Sequence, residues 1–256
     1  MSKTNTIATI ILAAGMGKRM NNPTLPKVLV PLNEKPLLGY VIDVANQLHS
    51  KRNVVIVGHK KELVETFVSS FGDDSLVCVT QSEQLGTGHA TQQAESALMD
   101  FPLDGLVIIL SGDVPLIRAS TLENLIDFHT QNNFKMTLLS TLLDQPKGYG
   151  RIVRDESGVF QRIVEEKDAN DTERMIREIN AGIYCIEHQY LFSLLKNIKN
   201  SNAQGEYYLT DLVEIFKQNQ LSVGALIHTD PIEISGINTE EELKKLEAIY
   251  LERVND

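Results

Sequence analysis

Three short segments place charged or amide side chains beside glycines, each just after an apolar run. The first is Leu12-Ala13-Ala14-Gly15-Met16-Gly17-Lys18-Arg19-Met20, followed by Leu25-Pro26-Lys27. Glycines let a backbone approach an anion with its N–H groups turned inward, and Lys18, Arg19 and Lys27 bring three cations to the carboxyl end of one candidate strand. The second is Gln81-Ser82-Glu83-Gln84-Leu85-Gly86-Thr87-Gly88-His89-Ala90. Its Gln81 amide carries both a donor and an acceptor, as reading a nucleobase requires, and Gly86 and Thr87 offer backbone and hydroxyl contacts. The third is Ile109-Leu110-Ser111-Gly112-Asp113-Val114-Pro115-Leu116. Magnesium prefers oxygen ligands and usually takes one or two protein carboxylates plus phosphates and water, which makes Asp113 the candidate metal ligand. Taken singly, each segment has a plainer reading: a tight turn with solvated lysines, a polar helix cap, and a turn or N-cap aspartate. What they share is a place at strand carboxyl ends, where open α/β sheets bind ligands.

Other chemistries fit less well. No Gly-Lys-Ser/Thr follows the first loop, so it is not a Walker A loop, and Met20 stands where a dinucleotide fingerprint needs its third glycine. There is no His-Glu-x-x-His zinc motif or Gly-x-Ser-x-Gly nucleophile elbow, and the six histidines do not cluster at metal-ligand spacing. His89 reads as an early helix residue rather than a general base. Glu165 and Glu166 are adjacent, so on a strand they point to opposite faces and make a poor catalytic pair.

Positioning these loops falls to a βαβ pattern. Candidate strands are Thr6–Ala13, Asn53–Val57, Leu76–Val79 and Leu106–Leu110. Between them lie helical patterns at Pro36–Leu48, with proline in the first turn, Lys60–Ser70, Gly88–Met99 and Ser120–His129. Lys135–Leu143 resumes strand character. Ile152–Arg154 and Val159–Val164 flank the turn signal Glu156-Ser157-Gly158, predicting an antiparallel hairpin insert. Ile179–Ile186 is the next strand; helices at Gln189–Lys196 and Tyr208–Asn219, a strand at Ser222–His228 and a closing helix over Thr239–Val254 complete the chain. The expected fold is α/β, a Rossmann-like, mostly parallel mixed sheet flanked by helices, in a single domain over residues 1–256. With 42% hydrophobic and 23% charged residues in 256, the chain has the composition of a folded globular protein. A formal net charge of −10 disfavours nucleic acid or an anionic membrane as partner. Cys78 and Cys185, each inside an apolar run, read as buried thiols in a reducing compartment, and no segment reads as a membrane span or signal peptide, so a cytoplasmic protein is expected.

In this order the three segments resemble the sugar-phosphate nucleotidyltransferases, most closely the N-terminal uridylyltransferase domains of bifunctional enzymes that make UDP-N-acetylglucosamine. The likeness continues through Lys147-Gly148-Tyr149-Gly150-Arg151-Ile152, Ile163-Val164-Glu165-Glu166-Lys167-Asp168-Ala169, Glu178-Ile179-Asn180-Ala181-Gly182-Ile183, Asn202-Ala203-Gln204-Gly205-Glu206-Tyr207-Tyr208-Leu209-Thr210-Asp211 and Gly236-Ile237-Asn238. The opening Leu-Ala-Ala-Gly is common to many sugar nucleotidyltransferases, whereas the Gln-Leu-Gly-Thr-Gly-His-Ala and Gln-Gly-Glu-Tyr-Tyr runs are long enough to mark the subfamily.

The resemblance implies a nucleotide-diphospho-sugar transferase fold and transfer of UMP from UTP to N-acetylglucosamine 1-phosphate, giving UDP-N-acetylglucosamine and pyrophosphate. It implies that Leu12, Ala13, Ala14 and Gly15 line the nucleotide with Ser111 and Gly112. Arg19 and Lys27 would hold the reacting phosphates, and Gln81, Gly86 and Thr87 would contact uracil. Asp113 and Asn238 would be the Mg2+ ligands, and Gly150, Glu165, Asn180, Glu206, Tyr208 and Asn238 would contact sugar. Two positions depart from the family pattern, Ser111 where relatives often carry tyrosine and Ala181 where many carry threonine; both bear on sugar preference rather than on the reaction. No hexapeptide repeats of a left-handed β-helix follow, so acetyltransferase activity is not expected, and the oligomeric state stays open. The alternatives are a uridylyl- or thymidylyltransferase acting on another hexose 1-phosphate and a non-catalytic sugar-nucleotide-binding regulator; keeping Arg19, Lys27, Asp113 and Asn238 argues against the second.

Overall fold

The computed structural model describes residues 5–20, 22 and 24–255; the side chains of Lys18 and of residues 253–255 lie outside that description. Strand and helix alternate from the start: β1 (Ile7–Leu12), β2 (Pro31–Leu32), β3 (Lys35–Pro36), α1 (Leu37–Gln47), β4 (Arg52–Val57), α2 (Lys61–Ser69), β5 (Leu76–Thr80), α3 (Thr87–Gln92), β6 (Leu106–Ser111), α4 (Ala119–Gln131) and β7 (Met136–Leu142). The second half carries β8 (Arg151–Arg154), β9 (Phe160–Val164), α5 (Asp171–Arg174), β10 (Glu178–Glu187), α6 (His188–Leu195), α7 (Leu212–Gln218), β11 (Val223–His228) and α8 (Glu240–Asn255).

The main sheet runs β11-β7-β10-β6-β1-β4-β5. β1 pairs in parallel with β4 and β6, β4 with β5, and β11 with β7, while β10 runs antiparallel to β6 and β7. The β8–β9 hairpin joins this sheet through β10, where Ile179 pairs with Arg151. This is the mixed, mostly parallel sheet that the alternating sequence pattern predicts. Its central strands are nearly continuous apolar runs because both faces are covered. Along β1, Ala8 and Ile10 face a core shared with Ala90 of α3, Leu191 of α6 and Phe216 of α7. Ile11 faces the opposite core, with Val41 of α1, Val64 of α2 and Leu125 of α4. Each fully buried aliphatic side chain of this kind contributes about 1.5–3 kcal/mol relative to exposure. Among the described residues, no helix is long and apolar enough to cross a membrane.

Several boundaries differ from the sequence reading, each for a local reason. Pro36 precedes α1 as its N-cap, at φ −54 and ψ 141, rather than standing in the first turn. It closes the β2–β3 hairpin, which the sequence hides because its turn is Asn33-Glu34, both at positive φ, in place of the usual Asn-Gly. The helix expected over Gly88–Met99 is α-helical only as far as Gln92 and continues as a 3-10 helix through Leu98, still burying Ala94 and Leu98. Tyr208 likewise precedes a 3-10 turn at Leu209–Asp211 before α7 begins. Cys185 is buried as expected, but Cys78 is only half-buried, because β5 lies at the sheet edge.

Candidate functional site

β1, β4, β5 and β6 all end on the same side of the sheet, and their loops enclose a cleft of about 510 Å³. Leu12, Ala13, Ala14, Gly15, Arg19, Lys27, Gln81, Gly86, Thr87, Ser111, Asp113, Glu206 and Asn238 line it, thirteen of the residues singled out from sequence. Gly112 packs behind the wall: its N–H donates to Leu12 O at 3.0 Å, and a Cβ there would lie 3.1 Å from the same oxygen. The expected convergence of Lys18 with the other cations involves a side chain outside the described residues.

The loop after β1 needs its second glycine. Gly17 has φ +59, and a Cβ at that position would sit 2.6 Å from Lys27 Cβ, so glycine is what lets the Lys27 stem cross the loop. Lys27 then bridges two distant segments: its ammonium hydrogen-bonds Asp113 Oδ2 and, at 3.0 Å, Asn238 Oδ1. Arg19 donates to the same Asn238 oxygen at 2.9 Å. Asn238 is held by the start of α8. Thr239 Oγ1 accepts from Glu242 N at 3.2 Å, and Glu242 Oε2 accepts from the backbone N–H groups of Asn238 and Thr239 at 2.7 and 3.1 Å, a capping box. Ile237 N–H donates to Asp113 O at 3.0 Å, fastening this segment to the β6 loop. One carboxylate and one amide oxygen therefore meet at a single cationic nitrogen, a donor set that suits a hard divalent ion completed by phosphate and water.

At the other end of the cleft, Gln81 is 3% exposed. Its Nε2 contacts Gly86 O at 3.1 Å and His89 Nδ1 at 3.0 Å. Since a carbonyl only accepts, both amide hydrogens are committed inside the protein, and the carboxamide oxygen remains to accept from a ligand. The Thr87 hydroxyl is similarly engaged, accepting from Leu209 N at 3.0 Å. Gly86, at φ +109, would place a Cβ 2.6 Å from Tyr207 O; only glycine allows the strap at residues 205–209 to close on this loop.

Gly150, Glu165, Asn180 and Tyr208 lie beside the cleft rather than in its wall and form a second group around β8, β9 and β10. Asn180 N donates to Gly150 O at 2.9 Å, and Glu165 Oε1 accepts from Thr210 Oγ1 at 3.0 Å. Burial pushes the Glu165 carboxyl up; the Thr210 bond opposes this, and Asp168 and Glu206 reinforce it. A register shift in β10 between Asn180 and Tyr184 lets the Asn180 amide donate to Tyr184 Oη at 2.6 Å. Tyr208 Oη bonds Asp168 Oδ2 at 3.2 Å. Glu166 points elsewhere, to Arg151 at 2.7 Å and Gly148 N at 3.0 Å, so the two adjacent glutamates do part as the sequence implied.

Sequence reasoning missed Gln84 and Val28 in the cleft wall, and Tyr149. Gln84 shares the loop of Gln81, and Val28 follows Lys27, so position alone was a signal for both. Tyr149 lies in the loop before β8 and lines a second, smaller cavity with Ile232, Gly236 and Leu246; burial raises its hydroxyl pKa, while the Gly236 backbone opposes the shift. Nothing in its neighbours along the chain announces that reach.

The nucleotidyl transferase family model matches residues 8–230. The chain is 43% identical over 250 residues to the bifunctional protein GlmU of Caldanaerobacter subterraneus subsp. tengcongensis, covering 98% of this chain and 53% of that protein. It is 44% identical over 247 residues to the GlmU protein of Streptococcus suis, covering 96% and 52%. The chain thus spans about half the length of the curated relatives it matches. A crystal structure of UDP-glucose pyrophosphorylase complexed with UDP-glucose superposes with a TM-score of 0.77 at 17% identity, covering 97% of this chain and 99% of that one, a likeness of fold.

Proposed function

Starting from the nucleotidyl transferase family, to which this chain belongs, we propose that it transfers UMP from UTP to N-acetylglucosamine 1-phosphate, releasing pyrophosphate. The observation that carries this reading is the meeting of Lys27, Arg19, Asp113 and Asn238 at one point of the cleft, with the Gln81 amide oxygen left free to accept at the other end. A uracil N3–H matches that oxygen.

The sugar phosphate is already an anion at neutral pH, so no base is needed to make the nucleophile. The protein's task is to hold two polyanions in line and offset their repulsion. Lys27 and Arg19 would take phosphate oxygens, the backbone of residues 12–15 would line the nucleotide, and Asn180, Glu165 and Gly150 would orient the sugar. Asp113 and Asn238 would hold magnesium, which when bound would supply positive charge to offset that of the reacting phosphates. The Lys27 ammonium donates to both of those side-chain oxygens, and its third N–H would be the one available to a phosphate oxygen.

The test is pyrophosphate release from UTP across a panel of sugar 1-phosphates. N-acetylglucosamine 1-phosphate is expected to be the best acceptor. A strong preference for glucose 1-phosphate, or for thymidine triphosphate over UTP, overturns the assignment.

A further inference from the structure

Glu233 has no part in the chemistry above, yet it is 2% exposed and fully engaged. Its Oε1 accepts from the backbone N–H of Arg118 at 3.0 Å, and its Oε2 lies 3.0 Å from His228 Nε2, which as the partner of a carboxylate is the donor. A buried carboxylate is tolerated only when hydrogen-bonded in this way, so it has a defined place. Arg118 ends the loop that Asp113 begins, just before α4. Glu233 lies on the segment between β11 and α8 that ends at Asn238. At the opposite end of the same two segments, Ile237 N–H donates to Asp113 O at 3.0 Å. Residues 113–118 and 233–237 therefore run side by side in opposite directions and are tied at both ends.

We propose that Glu233 is a positioning residue that fixes Asn238 relative to Asp113 and thereby sets the affinity of the site for a divalent cation. The proposal rests on the assignment of those two residues as metal ligands. Ile234 and Ile237 bury this segment and the α8 cap holds its far end; the Glu233 bond is the polar tie that fixes its near end against the loop of Asp113. His228, at the end of β11, keeps the carboxylate aimed at α4.

The probe is Mn2+ alone, titrated into wild type, Asp113→Ala, Glu233→Ala and Glu233→Gln, with amide hydrogen exchange of residues 235–239 followed in parallel. Loss of a partner bonded directly to a metal ligand weakens metal binding about ten- to a hundredfold; Glu233 acts one step further out, so Glu233→Ala is expected to weaken Mn2+ binding by no more than about tenfold, the lower end of that range, with faster exchange at Ile237 and Asn238. Glu233→Gln keeps an acceptor for Arg118 N–H and should stay close to wild type. Wild-type Mn2+ affinity and unchanged exchange in Glu233→Ala overturn the proposal. If Asp113→Ala binds Mn2+ as tightly as wild type, the metal assignment has failed instead, and exchange at Ile237 still reports whether Glu233 holds the segment. Should Glu233→Ala not fold, Glu233→Asp shortens the arm by one methylene, and undiminished Mn2+ affinity in that folded variant is equally fatal.

Discussion

The two halves of the site are built on different principles. The half proposed to take the nucleotide rises from parallel strand ends, and its cations meet oxygen acceptors: Lys27 lies against Asp113, and Arg19 and Lys27 share the Asn238 amide oxygen. The half proposed to take the sugar rises from the antiparallel part of the sheet, where polar side chains bond one another, Asn180 to Tyr184, Thr210 to Glu165, Tyr208 to Asp168. Its carboxylates crowd together. Burial, with Glu214, Glu165 and Asp168 adding to it, pushes Asp211 up to about 6. A cation-rich cleft suits a triphosphate, and a lattice of hydroxyl, amide and carboxyl groups suits a neutral, hydroxyl-bearing ring. Each half should therefore fail in its own way.

The largest effect should come from the nucleotide half. Lys27→Ala removes a cation that would offset phosphate charge, and loss of one such preorganised group costs about a hundred- to a thousandfold in kcat. Stability should fall less than turnover, because Asp113, though only 13% exposed, lines the open cleft where water can reach it. Steady-state kinetics beside a thermal melt checks both. A fall in Tm large enough to account for the lost turnover would show that the cation is structural, and the contrast between the halves would go with it.

A smaller and differently directed effect belongs to the sugar half. Asn180→Ala leaves the Tyr184 hydroxyl and the Gly182 N–H without their partner and removes a group able to bond a sugar substituent. A hydrogen bond lost at a buried site is worth about 1–3 kcal/mol. KM for the sugar 1-phosphate should therefore rise roughly tenfold or more on that scale, while KM for UTP stays put. Equal increases in both constants would mean that the two groups of residues form one site without division of labour.

The same division explains what could be read from the sequence. Strand, glycine, then a charged or amide residue is a local pattern, so Arg19, Lys27, Gln81 and Asp113 stand out from composition and spacing alone, and the cleft contains them all. Asn238 carries no such mark. The α8 cap through Glu242 that holds it is local, but it joins Asp113 through the Ile237 bond, a contact that spans more than a hundred residues. Glu165, Asn180 and Tyr208 came from family resemblance, since a pocket made of side-chain pairs across a hairpin and a bulged strand has no period to betray it. The fold was legible in its alternation of apolar runs. The β2–β3 hairpin and the 3-10 continuation of α3 were not, because an Asn-Glu turn and a change of helix pitch leave the hydrophobic pattern intact.

The smallest effect is one of stability, and it separates crowded carboxylates from paired ones. An unfolded aspartate titrates near 3.9, whereas Asp211 in the folded chain titrates at about 6. Between those values the folded state holds a proton that the unfolded state has released. The group's contribution to stability is therefore present below about pH 4 and is lost as pH rises through 6. Asp211→Asn has nothing to titrate, so it should melt above wild type at pH 8 and lose that advantage below pH 4. His129 works in the opposite sense. Burial lowers it to about 4, so the unfolded state binds the extra proton between that value and about 6.5, and stability falls as pH drops through the window. Because the two slopes oppose each other in wild type, the quantity to read is the difference in Tm between Asp211→Asn and wild type across pH. Asp113→Asn, whose carboxylate faces a lysine rather than other acids, should show no such gain at pH 8. If it gains as much as Asp211→Asn does, the gain does not come from burial among other acids, and the contrast between the two halves fails.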